Sequence, residues 1–249
     1  MNKFLTVIVR LYNREKSIVN CLNSILSQTF IDKIQILIIN DGSTDNSLNV
    51  VNKIKEDNLN ICIDIVSHKK NMGRGKALNT AKQYINRKYC CILDSDDIYN
   101  RNTWIEELYN EIGDNNYDII YNGNRHSYHW NNVYLSETFK KCPICNINYY
   151  EDHYVNWFFN KENLVLYKYN LPCFVKKNEE SEDRDNKLYY INNKKFSNIT
   201  LQKLYEDVFY YRNKHDDSDL KRRCDEFKVK ELCDILLESY NEIKKELVN

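Results

Sequence analysis

An apolar run, Cys90-Cys91-Ile92-Leu93, ends in Asp94-Ser95-Asp96-Asp97, which places three carboxylates within four residues. Like charges this close repel one another, so the arrangement calls for a cation nearby. Carboxylate oxygens are hard ligands of the kind Mg²⁺ and Mn²⁺ take, and Mg²⁺ sites are commonly completed by substrate phosphates. The same residues also suit a plain strand end, an Asp-rich turn and a helix cap. A second acidic loop, Asn40-Asp41-Gly42-Ser43-Thr44-Asp45, has turn chemistry at Asp41-Gly42 and a helix cap at Ser43 or Thr44. Asn71-Met72-Gly73-Arg74-Gly75-Lys76 adds two cations between two predicted elements. Farther on, Glu151-Asp152-His153 reads as a loop entering a helix, where acids complement the helix dipole without any chemistry.

The elements that must position these groups are legible from periodicity. Phe4-Leu5-Thr6-Val7-Ile8-Val9 predicts a strand buried on both faces, followed by Arg10-Leu11-Tyr12-Asn13. Asn13 can cap a helix whose apolar positions are Ile18, Cys21, Leu22, Ile25 and Leu26. Gln35 to Ile39, Ile61 to Val66 and Tyr89 to Leu93 predict three more strands, with a helix through Ala77, Leu78, Ala81 and Ile85. Strands alternating with helices over short connections predict parallel pairing in a helix-covered α/β sheet. Ligands of such sheets bind beyond the carboxyl ends of the strands. The polar loops all leave such ends and are expected to converge.

Tyr12-Asn13, Ser24 to Thr29, Asn40 to Asp45, Asn71-Met72-Gly73 and Leu93 to Asp97, in unbroken order over roughly the first hundred residues, resemble a family 2 glycosyltransferase of the GT-A fold. The resemblance implies a Rossmann-like, mostly parallel sheet flanked by helices. It also implies inverting transfer of a sugar from a nucleotide donor, most often a UDP-sugar, to a glycan, glycolipid or glycoprotein acceptor. Mn²⁺ or Mg²⁺ would sit on the diphosphate. Under this resemblance Tyr12 stacks on the base beside Asn13, and Asp41 accepts the base imide proton. Asp94 faces the ribose and Ser95 is a further donor-binding candidate, Asp96 binds the metal with Asp94 and His153 as further candidates, and Arg74 and Lys76 fall near the diphosphate or the sugar. An acid at the helix start after the acceptor strands is the family's catalytic base, which nominates Asp152 over Glu151. Two departures stand out. Arg10 occupies a position where the family usually carries a small or proline residue, so it either reaches the donor differently or points to solvent. Gly73-Arg74-Gly75-Lys76 replaces the more frequent Ala-Arg-Asn run, with Ala77-Leu78-Asn79 following.

The 249 residues suffice for a substantial core, expected as a nucleotide-sugar half over 1–100, an acceptor half over 101–200 and a helical extension over 201–249. With 36 basic and 36 acidic residues the formal charge is zero, which gives no global pull toward nucleic acid or anionic membrane. No run approaches the roughly 20 apolar residues of a membrane helix, and Met1-Asn2-Lys3-Phe4 leads straight into the first strand, so a cytoplasmic protein is expected. Nine cysteines, irregularly spaced and including adjacent Cys90-Cys91, argue against a disulfide framework, and Cys62, Cys90 and Cys91 read as small core residues. Cys142-Pro143-Ile144-Cys145 has redox or zinc spacing, but no second pair or clear histidine partner completes a four-ligand site.

Beyond residue 100 the pattern predicts a helix from Thr103 to Ile112 and strands over Asp118–Asn122, Leu164–Tyr169 and Cys173–Lys176. Arg125 to Trp130 is expected to pair as a hairpin with Val133-Tyr134-Leu135, with His126 and His129 as lesser site candidates. Tyr128, Trp130, Trp157 and Phe158 fit either an acceptor platform or the core. Residues 178–185 read as a mobile charged loop. Two other classes share parts of this pattern. A sugar-phosphate nucleotidyltransferase would carry a glycine-rich basic loop after the first strand, and residues 10–14 contain no glycine. A non-catalytic homologue would lose the metal or base residues, whereas Asp94, Asp96 and the Glu151-Asp152 pair are all present.

Overall fold

The computed structural model describes residues 3–122, 132–142, 144, 155, 166–169 and 175–177, with Asn122 and the last two segments described by backbone alone. These residues lie in the first of two compact units, Met1–Ser181; the second, Glu182–Asn249, holds no described residue.

Four parallel strands form the centre: β1 (Leu5–Leu11), β2 (Ile34–Asn40), β3 (Ile63–Ser67) and β4 (Tyr89–Asp94). They connect through α1 (Ile18–Leu26), α2 (Ser47–Asp57) and α3 (Arg74–Ala81). After β4 come β5 (Asp97–Tyr99), α4 (Trp104–Ile112), β6 (Ile119–Asn122), β7 (Asn132–Leu135), α5 (Ser136–Lys141), β8 (Leu166–Tyr169) and β9 (Val175–Lys177). The main sheet runs β3-β2-β1-β4-β7-β6-β8, with β7 antiparallel to both β4 and β6, while β5 and β9 form a separate antiparallel pair. The order reverses at β1, which lies between β2 and β4. That is the switch point where crevices open in such sheets.

Both faces of the sheet are covered, which is why its strands read as continuous apolar runs. Leu5, Val7, Val9 and Leu11 share one face with Ile36, Ile38, Cys91 and Leu93, under residues of α1, α2 and α4. Ile8, Leu37, Ile39, Cys90 and Ile92 alternate onto the other face, against Ala77, Leu78 and Ala81 of α3. The small residues of α3 let it lie close to the sheet. A polar lock fixes the register: Thr6 sits opposite Gln35, and its Oγ1 donates to Gln35 Oε1 at 2.7 Å. Gln35 Nε2 in turn donates to Asp64 Oδ2 and to the Tyr84 carbonyl, and Gln35 Oε1 also accepts from Asn86 N–H. A buried amide satisfied this fully ties β1, β2 and β3 together at one register.

Several expectations change. The third strand begins at Ile63 rather than Ile61. Val133 and Tyr134 are paired with β6 on one edge and β4 on the other, while residues 125–130, expected as the hairpin partner, lie outside the described residues. Helix α1 starts at Ile18, too far along for Asn13 to cap it, and α2 starts at Ser47, past Ser43 and Thr44. Asp97 opens strand β5 rather than a helix-capping turn. Cys90 and Cys91 are buried as expected, whereas Cys62 is half-buried. Burial pushes the Cys91 thiol up to about 12 and the Cys90 thiol well above its ordinary value, as befits neutral packing groups.

Candidate active site

Four loops leave the carboxyl ends of β1 to β4, and side chains tie them to one another. After β1, Asn13 takes a left-handed backbone at φ 51°, and its Oδ1 accepts from Thr44 N–H at 2.8 Å. The same oxygen accepts from Asp45 N–H at 3.4 Å, so Asn13 organises the β2–α2 loop instead of capping α1. Asn13 N–H donates to Ser43 Oγ and Arg14 N–H to Ser47 Oγ. Asp45 answers by accepting from Glu15 N–H at 3.1 Å and from Ser47 N–H at 3.0 Å. Burial alone would push the Asp45 carboxyl up, but hydrogen bonds from the side chain and backbone of Ser47 and the backbone of Glu15 hold it below the usual range.

Asp41, 5 % exposed, closes the β2 loop onto the β3 loop. Its Oδ1 accepts from Met72 N–H and its Oδ2 from Gly73 N–H, each at 2.8 Å. His68 Nδ1 lies 2.6 Å from Asp41 Oδ1, and His68 Nε2 lies 2.8 Å from Thr80 Oγ1. A carboxylate offers about four acceptor positions, and these three contacts leave capacity on Oδ2. Tyr12, 37 % exposed, presents its ring at the surface beside this loop's partner Asn13. Arg74 is exposed and Lys76 half-buried on the first turn of α3.

The acids after β4 do meet cations. Arg10 Nη2 donates to Asp94 Oδ1 across the β1–β4 register, and Arg14 Nη2 lies 3.7 Å from Asp96 Oδ2. Arg10 is 8 % exposed, so it is turned neither to solvent nor outward. The backbone of the acidic loop is held from below, since Ser17 Oγ donates to the Ser95 carbonyl at 3.0 Å and Cys21 Sγ to the Asp94 carbonyl at 3.5 Å. Burial, and then the nearby Asp97, Asp96 and Asp94, push the Cys21 thiol well above its ordinary value, so it is a packing group and not a nucleophile. Ser95 is buried while Asp94 and Asp96 keep partial exposure. Asp96 fits a divalent metal that takes one or two carboxylates and leaves its other positions to water and phosphate. Among the described residues no three His, Cys, Asp or Glu side chains cluster as a metal cage.

The Ser24 to Thr29 stretch, quoted above as part of the family pattern, turns out to be a clamp outside the acidic loop. Ser24 Oγ accepts from Tyr99 N–H, Gln28 Nε2 donates to the Arg101 carbonyl, and Thr29 N–H donates to the Asn102 carbonyl. It fixes the chain as it leaves Asp96 toward α4. Sequence reasoning passed over His68 and Arg14. His68 follows β3 directly, so extending the strand-end rule to that loop would have found it; the contact of Arg14 with Asp96 has no local signal. Glu151, Asp152, His153, His126, His129, Tyr128, Trp130, Trp157, Phe158 and Cys145 lie outside the described residues. Cys142 is buried, and its carbonyl accepts from Lys82 Nζ.

A parallel sheet ordered 3-2-1-4, extended by antiparallel strands and carrying acidic loops at its carboxyl ends, is the GT-A architecture. The same fold recurs in TarS residues 1-349 of S. aureus in complex with UDP-GlcNAc, at a TM-score of 0.59 and 17 % identity over 86 % of this chain and 68 % of that one. It recurs in the mannosyltransferase PcManGT from Pyrobaculum calidifontis in complex with GDP-Man and Mn²⁺, at a TM-score of 0.62 and 15 % identity over 96 % of this chain and 71 % of that one. Residues 6–179 match Glycosyl transferase family 2, and the chain belongs to that family. Among curated relatives, glycosyltransferase GlyG of Streptococcus pneumoniae serotype 4 is 33 % identical over 129 residues, 51 % of this chain and 41 % of the relative. The poly-beta-1,6-N-acetyl-D-glucosamine synthase of Staphylococcus aureus strain COL is 35 % identical over 94 residues, 38 % of this chain and 22 % of the relative. The chain thus spans less than half the length of these relatives. Among the described residues, no helix is long and apolar enough to cross a membrane.

Proposed function

We propose that this chain carries the catalytic unit of an inverting glycosyltransferase that moves a sugar from a UDP-sugar to a hydroxyl of a glycan, lipid or protein acceptor. The observation that supports the reading is the mutual tying of four strand-end loops through Asn13, Asp41, Arg10 and Arg14, the loops on which the residues of the family resemblance lie. In this reading Tyr12 covers the base and Asp41 accepts its imide N–H. Asp94 accepts from the ribose, and Arg74 and Lys76 supply positive charge toward the diphosphate. Asp96 would hold Mn²⁺ or Mg²⁺, which when bound acts as a Lewis acid stabilising charge on the departing diphosphate.

Inversion requires the acceptor hydroxyl to approach the anomeric carbon opposite the leaving group. An alcohol is a poor nucleophile until its proton begins to leave, and a positioned carboxylate takes that proton. Asp94 and Asp96 are engaged on the donor side, which leaves the Glu151-Asp152 pair to supply the base, with Asp152 as the residue chosen. Of the two solved structures described above, one carries a UDP-sugar and the other a GDP-sugar, so the choice of uracil is argued from Asp41 and Tyr12.

Incubation with UDP-sugars and Mn²⁺ in the absence of acceptor tests the class. Slow release of UDP is expected. Pyrophosphate formed from a sugar phosphate and a nucleoside triphosphate would instead establish a nucleotidyltransferase.

A further inference from the structure

The protein itself fills most of the hydrogen-bonding capacity of Asp41. Oδ1 accepts from Met72 N–H at 2.8 Å and lies 2.6 Å from His68 Nδ1, while Oδ2 accepts from Gly73 N–H at 2.8 Å. An ionised carboxylate can only accept, so His68 Nδ1 carries the hydrogen and donates it. The neutral ring then accepts at Nε2 from the Thr80 hydroxyl, 2.8 Å away on α3, and a protonated ring would donate to that same hydroxyl. In both states Nδ1–H stays on Asp41. The His68 side chain is 9 % exposed, so bulk water does not take its place. Each carboxylate oxygen offers about two acceptor positions. His68 and Met72 N–H together fill Oδ1, and Gly73 N–H leaves one position on Oδ2.

We propose that His68 is a positioning residue that sets base specificity: by filling Asp41 Oδ1 it limits the carboxylate to one incoming hydrogen bond, which suits uracil and rejects the paired donors of guanine. The inference rests on the base pocket proposed above and deepens it. Uracil offers a single imide N–H. Guanine offers N1–H and an N2 amino hydrogen side by side, a pair that matches one position on each oxygen of a carboxylate, as a bidentate partner does. With Oδ1 filled, one of these two donors would be held in the pocket without an acceptor, and a stranded buried donor is costly. His68 acts on the base only through Asp41.

Calorimetry on the full chain with GDP and IDP, and with UDP and CDP as references, tests this without turnover. Guanine and hypoxanthine share the purine frame and N1–H and differ in the N2 amino group. The GDP-to-IDP affinity ratio therefore reads the second donor apart from base size. In the native chain GDP is expected to bind no better than IDP. His68→Phe keeps a ring and removes Nδ1–H, so it should raise the ratio by about tenfold or more, the effect of one added hydrogen bond to a charged group. His68→Asn puts a side-chain N–H near the place of Nδ1 and should return the ratio to its native value. Structural damage weakens both purines and does not produce a gain for one of them that His68→Asn removes. A native preference for GDP over IDP would overturn the role of His68, as would a folded His68→Phe with an unchanged ratio. Failure of both purine nucleotides to bind any variant would make base size the discriminator and overturn it as well. Should His68→Phe fail to fold, His68→Leu carries the same expectation, and the native ratio still decides. Equal affinity of the native chain for UDP and CDP would instead reject the base pocket itself.

Discussion

Asp41 has three partners inside the protein before any ligand arrives: Met72 N–H, Gly73 N–H and His68. It is therefore both a loop clamp and the proposed acceptor for the uracil imide, and a substitution should separate the two roles. Asp41→Ala is expected to weaken UDP by about 1–3 kcal/mol, the cost of a lost buried hydrogen bond, and CDP by less, because cytosine has no imide proton to donate. The UDP-to-CDP affinity ratio, measured by calorimetry, isolates base recognition from loop damage; an unchanged ratio would remove Asp41 from the base pocket. The proposed base is tested in the same spirit. Asp152→Asn keeps shape and removes basicity, so it should preserve UDP-sugar binding and reduce transfer by about 10²-fold or more. Normal transfer by Asp152→Asn with loss in Glu151→Gln would exchange the two roles, and normal transfer by both would leave the pair as a helix cap.

At the level of elements, the β2–α2 loop is held by contacts that no single element contains. Gly42 has φ +70°, and a Cβ there would lie 2.3 Å from the Lys70 carbonyl carbon. That neighbour is backbone and cannot turn aside. Gly42→Ala should therefore lower stability by about 1–3 kcal/mol or more, read as a fall in the thermal midpoint together with weaker UDP binding. Asp45 supports the same loop and carries a pH signature. Its carboxyl is held below the usual range in the folded state, so its stabilisation is complete above the unfolded value and is lost as pH falls through the folded one. Asp45→Asn should flatten the loss of stability below about pH 4, measured as urea midpoints across acid pH. Parallel curves for both proteins would show that the exposed part of this carboxylate dominates. Asn13 and Ser47 are the partners that make the loop's geometry, and the helix cap read at Asn13 pointed to a different bond.

Across the molecule, the β1–β4 switch point gathers what the chain keeps far apart, as Arg10 beside Asp94 and Arg14 near Asp96 show. Metal removal is the corresponding test: excess EDTA should abolish transfer and added Mn²⁺ restore it, with full turnover in EDTA excluding the role given to Asp96. The sequence by itself determined the parallel four-strand centre, because strands covered on both faces must be apolar throughout and helices between them must be amphipathic, as Val7, Ile38, Leu93 and Leu22 are. It also determined which loops would meet, since parallel strands put every carboxyl end on one side. It could not assign tasks within those loops. Helix-cap residues such as Asn13 and Ser43 look alike whether they bond their own helix or a loop about 30 residues away. The choice turns on which donors the fold brings within hydrogen-bond reach, as Asn13 N–H is of Ser43 Oγ at 3.1 Å. Nor could it show that a buried Arg10 stands against Asp94. That contact arises from strand register across 84 residues of separation, and register is decided by how two faces pack and not by any local pattern.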